Sequence, residues 1–337
     1  MPAPLKPSEI VHRLNEHVIG QDAAKRTLAV AVHAHFRRMA AQSALDSVEL
    51  TKSNILLIGP TGTGKTLLCE TLARILDLPF VTADATSLAQ TQFVGDEIEA
   101  ILHRLVDRAN GDLTLAQRGI VFVDEVDKLK ASGGQARATS GESVQHALLK
   151  IMEGAPVKLK DGRLIDTTQI LFICGGAFVG LDHILTKTHT FGFISTTAGD
   201  DQKILERLNA RVKPTDLLEF GLIPEFAGRL PIVARLHELS EELLVRILTE
   251  PKNAIYRQFK AVLATDGVEL TVEPAVFRQM AELAIEYKAG ARSLRGIFEE
   301  MMNDVMYVVP DHPEICRVVI RSLFEPPLIA TVESKND

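Results

Sequence analysis

The run Gly59-Pro60-Thr61-Gly62-Thr63-Gly64-Lys65-Thr66 matches GxxxxGK[ST] at every fixed position. Each residue type has a job at that spacing. Glycines let successive backbone N–H groups turn inward around phosphate oxygens. A helix start adds positive potential, Lys65 reaches the outer phosphates, and the Thr66 hydroxyl can meet Mg²⁺. Leu67, next in line, completes the expected nucleotide-binding set. A second constellation follows at Asp124-Glu125, where the apolar run Ile120-Val121-Phe122-Val123 ends in two carboxylates. Asp124 is expected to hold Mg²⁺ through water beside Thr66, and Glu125 to orient and polarise an attacking water. Together they specify binding and hydrolysis of a nucleoside triphosphate.

These groups need a scaffold that brings strand ends together. The residues just before the loop, 55–58, are all apolar and read as a buried parallel strand. Leu67, Leu68, Leu72 and Ile75 follow at helical spacing. Further apolar strands are expected around 80, 120, 170 and 232, with helices between most of them. The fold class is therefore α/β, with a parallel sheet of about five strands. In such sheets ligands sit at the carboxyl ends of strands, where the loop and both carboxylates fall. Residues 84–87 read as a turn, 131–141 as a flexible loop before a helix over 142–153, and 186–201 as an irregular loop. Lys160-Asp161-Gly162 signals a hairpin.

A boundary falls near Leu239, where Ser240 can cap a new helix with acids in its first turn. The expected domains are 1–238, large and α/β, and 239–337, smaller and mostly helical. Two short strands, 268–272 and 317–321, are expected to pair in the second.

The 337 residues suffice for two domains with a substantial core, and 46% are apolar. A net charge of −7 disfavours nucleic acid as a partner. Cys69, Cys174 and Cys316 are far apart with no CxxC pair, which argues against zinc and disulfides and makes a reducing cytoplasm the default location. The first residues lack the apolar core of a signal peptide, and no stretch reaches the ~20 apolar residues of a membrane helix.

Four features stay open when the residues are read alone. Val18 and Ile19 fit either a pocket wall for a flat base or ordinary core. Phe93-Val94 in a loop is odd if exposed, or else a staple on the next helix. Phe191-Gly192-Phe193 reads equally as a docking tip or as aromatics packed on the body. Arg292 and Arg295 near a helix start oppose its dipole.

At this point the chain resembles the AAA+ ATPases of the Clp/Hsp100 group, and within it the ClpX family, over nearly everything from Pro7 to about Leu328. The segments VIGQDAAKRTLAVAV, GPTGTGKTLL, ADATSLAQTQFVGDEIE, IVFVDEVDK, SGESVQHALLKIMEG, ILFICGGAFVGLD, GLIPEFAGRLP, LTEPKNAI and GARSLR carry the resemblance in the family's order. The sibling HslU family shares several, but its long inserted domain is absent here.

The resemblance implies an ATP-dependent, Mg²⁺-requiring unfoldase that threads polypeptides through a homohexameric pore. Val18 and Ile19 would line the adenine pocket. Arg229 looks like an arginine finger reaching a neighbouring subunit's nucleotide, and Arg292 like the sensor-2 arginine. Phe93 and Val94 fall where the family has its GYVG pore loop, with Gln92 in place of Gly and Phe93 in place of Tyr. Phe191-Gly192-Phe193 stands where the family carries the Ile-Gly-Phe tip that docks a ClpP-type peptidase. From the cysteine count the family's N-terminal zinc-binding domain is expected to be missing, and 158–166 is shorter than the basic substrate-recognition loop. No Asn follows Ile173, so a standard sensor-1 amide is not evident. The alternatives are a remodelling chaperone without a peptidase, an HslU-like or DNA-acting AAA+ module, and a purely structural ring subunit.

Overall fold

A computed structural model of the chain describes residues 5–42, 52–91, 93–130, 135–189 and 211–331. The chain divides into two compact units. One comprises Met1–Val11, Asp22–Pro60 and Lys65–Leu236, and the other His12–Gln21, Thr61–Gly64 and His237–Asp337.

Two helices lead in, α1 (Pro7–Asn15) and α2 (Asp22–Gln42). The first unit is then built on five parallel strands: β1 (Ile55–Ile58), β2 (Phe80–Asp84), β3 (Ile120–Asp124), β6 (Leu171–Gly176) and β7 (Ile232–Arg235). They lie in the order β2-β3-β6-β1-β7, and every pairing is parallel. Two of the three interior strands, β6 and β1, are buried throughout, as strands of a parallel sheet covered by helices are, which is why they read as apolar runs. Register brings the chemistry into one row. Asp84 sits opposite Asp124 across β2 and β3, and Ile58 sits opposite Gly176 across β1 and β6.

Helices α3 (Lys65–Leu76), α4 (Ala85–Gln90), α5 (Val94–Arg108) and α6 (Leu113–Ala116) connect the first three strands. A 3₁₀ turn, Val126–Leu129, leaves β3, and α7 (Gln135–Glu153) runs back to the short antiparallel pair β4 (Pro156–Lys158) and β5 (Leu164–Asp166). After β6 come α8 (Leu181–His189), α9 (Pro214–Phe220) and α10 (Pro224–Gly228). Phe122, Phe172 and Phe226 are wholly enclosed in this unit. Truncating such a ring to Ala costs ~3–5 kcal/mol.

Three local expectations are corrected. The turn at 84–87 is the N-cap of α4, where Asp84 Oδ1 accepts from Thr86 N at 2.7 Å. An Asp at a strand end serves a turn and a helix start equally well. The helix expected from 142 begins at Gln135, since Gln, Ala and Arg there are good helix formers. The irregular stretch from 186 is helical to His189; residues 190–210 lie outside the described residues.

The second unit packs α11 (Glu241–Thr249), α12 (Ile255–Thr265), α13 (Pro274–Glu286) and α14 (Ala291–Val308) around Leu244, Leu263, Met280 and Phe298. Ser240 caps α11, accepting from Leu243 N at 3.3 Å. Strands β8 (Glu269–Val272) and β9 (Ile315–Ile320) pair in parallel, and β10 (Leu328–Thr331) adds an antiparallel third strand. Sequence reading missed β10, which is four residues long, follows two prolines and is half exposed. Among the described residues, no helix is long and apolar enough to cross a membrane.

Candidate functional site

In the first unit the loop ends frame the start of α3. Gly59 is buried at the end of β1, where an added Cβ would stand 2.6 Å from the Leu236 carbonyl oxygen. No larger residue fits without shifting backbone. Lys65, only 8% exposed, donates from Nζ to the Gly59 oxygen at 2.6 Å and the Pro60 oxygen at 3.0 Å. These carbonyls offset the desolvation of the ammonium and hold it at the mouth of the loop. Pro60 is exposed beside it, and Leu67, 40% exposed, lies on the outer side of α3.

One residue on, Thr66 Oγ1 donates to Asp124 Oδ2 at 3.3 Å. A hydroxyl and a carboxylate this close form the oxygen pair that suits a small hard cation. Among the described residues no group of three His, Cys, Asp or Glu could hold a metal. Phosphate oxygens and water would therefore have to complete the shell, which is the usual habit of Mg²⁺.

Glu125 stands at the turn out of β3 with φ 59° and ψ 30°, a left-handed conformation for a non-glycine residue. Strain of this kind, of order 1–3 kcal/mol, gathers at working sites. Its backbone N–H donates to Asp124 Oδ1 at 2.9 Å. Its carboxylate accepts from Thr86 Oγ1 at 2.8 Å. Asp84 in turn accepts from the Thr86 backbone N–H at the cap of α4, so the hydroxyl that bonds the Glu125 carboxylate stands on a capped helix start. Thr86 was missed in the sequence; the clue was an Asp-x-Thr pair at the end of an apolar strand.

The floor of this end is tight. A Cβ on Gly175 would stand 2.6 Å from the Phe122 ring, and one on Gly176 would collide with Asp127 Oδ1. Asp127 is 4% exposed; Oδ2 accepts from Phe178 N at 3.3 Å, and Oδ1 has no partner among the described residues. Burial, with the Asp124 charge second, pushes the Cys69 thiol up, and burial alone pushes Cys174 up to about 12. Neither sulfur is a thiolate at neutral pH, so the site has no cysteine nucleophile.

The second unit holds the other loop residues. Gly62 has φ +79°, and an added Cβ would collide with the Ala289 carbonyl oxygen. The Gly62 oxygen accepts from Ala291 N at 3.2 Å, tying the loop tip to the first turn of α14. Arg292 is exposed on that same turn. Thr63 is buried, and Gly64, at φ +93°, faces open space at its Cβ position, so its backbone conformation is what favours glycine there. Thr61 is exposed. Val18 and Ile19 are buried in this unit, 5% and 8% exposed, beside Gly20, whose added Cβ would touch Leu243 at 3.4 Å.

Arg229 pairs with a different carboxylate of the first unit, Glu153. It is the C-cap of α10, and its guanidinium meets Glu153 Oε1 at 2.6 Å from Nη2 and 2.9 Å from Nε. Both side chains are 41% exposed, so the pair contributes at most ~1 kcal/mol and can be exchanged for another anion. The buried Asn54 fixes the backbone instead, donating to the Arg229 oxygen at 3.2 Å and the Met152 oxygen at 3.3 Å.

Phe93 and Val94 divide the open reading between them. Val94 starts α5 and packs on the core, while Phe93, at the N-cap, is 70% exposed. Phe191, Gly192 and Phe193, and also Gln92, lie outside the described residues.

Comparison with known proteins follows the same division. Residues 50–233 match the AAA domain (Cdc48 subfamily), and residues 239–311 match the C-terminal, D2-small domain, of ClpB protein. The ATP-dependent Clp protease ATP-binding subunit ClpX of Treponema denticola is 47% identical over 320 residues, covering 90% of this chain and 77% of the relative. The protein of the same name from Azotobacter vinelandii is 47% identical over 332 residues, covering 92% and 75%. With identity at this level sustained across both units, the chain is an ATP-hydrolysing enzyme and belongs to the ClpX family of AAA+ ATPases.

Proposed function

We propose that the protein is an ATP-driven polypeptide unfoldase and translocase that works as a homohexameric ring in the cytoplasm and feeds a ClpP-type peptidase. The observation that carries this reading is Phe93, an aromatic ring 70% exposed at the N-cap of a helix in a chain that hydrolyses ATP. An exposed ring of this kind grips by surface area and needs no particular sequence in what it grips, as a translocator of many polypeptides requires.

Lys65 and the loop N–H groups hold the phosphates of ATP, and Val18 and Ile19 wall the base. Thr66 and Asp124 would hold Mg²⁺, which would neutralise phosphate charge when bound. Glu125, its carboxylate set by Thr86, orients the attacking water and takes up its proton. Arg229 reaches the nucleotide of a neighbouring subunit, a contribution of roughly 10³–10⁵ in rate in related NTPases. Its exposed, exchangeable pairing with Glu153 suits a residue that must change partners. Arg292, on the turn bonded to Gly62, reads the phosphates from the domain that starts near Leu239. Rotation of that domain turns nucleotide state into pulling. Phe191-Gly192-Phe193 is the peptidase contact.

The test measures unfolding of a folded reporter together with ATP consumption. Phe93→Ala is expected to drop unfolding per ATP hydrolysed to background. An unchanged ratio would remove the pore assignment. Rings of Glu125→Gln, which bind ATP without turning it over, are expected to retain polypeptides and a ClpP-type peptidase on a column. Retention of polypeptides with no peptidase, lost or kept with Phe191→Ala alike, would favour a remodelling chaperone over a protease subunit.

A further inference from the structure

Gln145 is wholly buried on α7, and its side-chain amide joins two segments distant in sequence. Nε2 donates to the Leu129 oxygen at 2.9 Å, and Oε1 accepts from Ile223 N at 2.9 Å. The orientation is unambiguous, because a carbonyl can only accept and a backbone N–H can only donate. Leu129 ends the 3₁₀ turn that begins directly after Glu125. Ile223 is the N-cap of α10 and has no side-chain cap of its own, and Arg229 is the C-cap of the same five-residue helix. A shift at Ile223 is therefore carried to Arg229. Gly141, one turn before Gln145, brings α7 down onto the same carbonyl: an added Cβ would stand 2.5 Å from the Leu129 oxygen.

We propose that Gln145 is a positioning residue for Arg229, its buried amide tying the segment that leaves the Asp124–Glu125 strand end to the helix that presents the arginine. A ring needs such a link. The carboxylates serve the subunit's own nucleotide and Arg229 serves the next one, so one fixed connection makes the state of the first site felt at the second. The exposed Arg229–Glu153 pair cannot do this, because it is weak and exchangeable. The amide is neutral, itself wholly buried and satisfied at both ends, so breaking it leaves a buried carbonyl at Leu129 and a part-buried N–H at Ile223 unpaired. The proposal rests on the role given above to Arg229.

The test is a cycle of full-length Gln145→Met, Arg229→Ala and the double variant, read as kcat and KM for ATP. Gln145→Met is expected to lower kcat about ten-fold, within the range that an ångström of misplacement costs, with KM unchanged. Arg229→Ala is expected to lower it more, by roughly a thousand-fold. The double variant should match Arg229→Ala, since a positioning residue adds nothing once its target is gone. Full additivity of the two defects, or a rise in KM without loss of kcat, would overturn the proposal while leaving Arg229 in place. Wild-type kcat in Arg229→Ala would overturn the finger reading and the proposal with it.

Gln145→Glu covers the case in which Gln145→Met fails to fold. Protonated, the acid imitates the amide, donating to Leu129 and accepting from Ile223; ionised, it cannot donate. Its kcat relative to wild type at the same pH is expected to recover as pH falls. A ratio that stays low and flat with pH would overturn the proposal.

Discussion

At the carboxyl ends of β1, β3 and β6, charged side chains are held where a ligand can compete for them. Lys65 rests on two loop carbonyls, Thr66 on Asp124, and Glu125 on a single hydroxyl. At the amino ends of the same strands, cationic groups are instead sealed against carbonyls. Lys52 donates to the Thr167 oxygen at 2.9 Å and lies 4.6 Å over the Phe172 ring, and His35 Nε2 donates to the Gln169 oxygen at 3.0 Å. Burial lowers Lys52 to about 7 and His35 to about 4. One end keeps charges and the loops that can trade partners; the other lowers the basicity of its nitrogen groups by burial and uses them as hydrogen-bond donors. On the roles proposed above, the same sheet separates reaction from anchorage.

The largest effect that tests this division is at Glu125. Glu125→Gln keeps the shape and can still accept from Thr86, but it cannot take a proton. Turnover is expected to fall by roughly 10²–10⁴, with nucleotide binding retained, as measured by ATP hydrolysis beside a fluorescent-nucleotide titration. Near-wild-type turnover would mean that the water is polarised from elsewhere, and the carboxyl ends would lose their claim to the chemistry.

The amino ends should respond in stability instead. With Nε2–H spent on Gln169, a second proton on His35 would sit on Nδ1, which is buried and has no partner among the described residues. Between about 4 and the ordinary 6.5 the unfolded chain binds a proton that the folded ring refuses. Stability is therefore lost as pH falls through that window. From pH 7 to pH 5 the loss due to this group is about 2 kcal/mol. Denaturant melts of wild type and His35→Gln at the two pH values are expected to differ by that amount, with ATP turnover at pH 7 within about two-fold. Equal acid sensitivity in the two proteins would show that the ring is not sealed, and the contrast between the ends would weaken.

What the sequence made legible was whatever is written contiguously. The phosphate loop is eight adjacent residues, the carboxylates close one apolar run, and each of the five strands is an apolar stretch between turn signals. The pairing of β8 with β9 was legible for the same reason. What stayed hidden were single polar residues whose partners come from elsewhere. Thr86 and Glu125 are 39 positions apart, and Gln145 and Ile223 are 78 apart. Neither Thr86 nor Gln145 differs in type from a solvated surface residue; only packing reveals that one is aimed and the other enclosed. Asp127 was hidden differently. It lies inside a recognised motif, but nothing in the spelling says that it is buried with one oxygen unpaired.

Thr86 yields the smallest effect and the finest distinction. Its hydroxyl gives the one side-chain hydrogen bond to the Glu125 carboxylate among the described residues. Thr86→Val keeps the branched shape and the Asp84 cap to its backbone N–H, so the helix start survives. The loss of a hydrogen bond to a charged group is worth about 1.5–3 kcal/mol when buried and less at an exposed carboxylate such as this one. If the bond holds Glu125 in its working direction, kcat should fall by roughly three- to ten-fold, with KM for ATP unchanged. A faster variant would carry the opposite meaning: the hydroxyl would be holding the carboxylate back from the water. Even at the reactive end of the sheet, then, one of the partners would be a restraint, and the line between reaction and anchorage would run through the site itself.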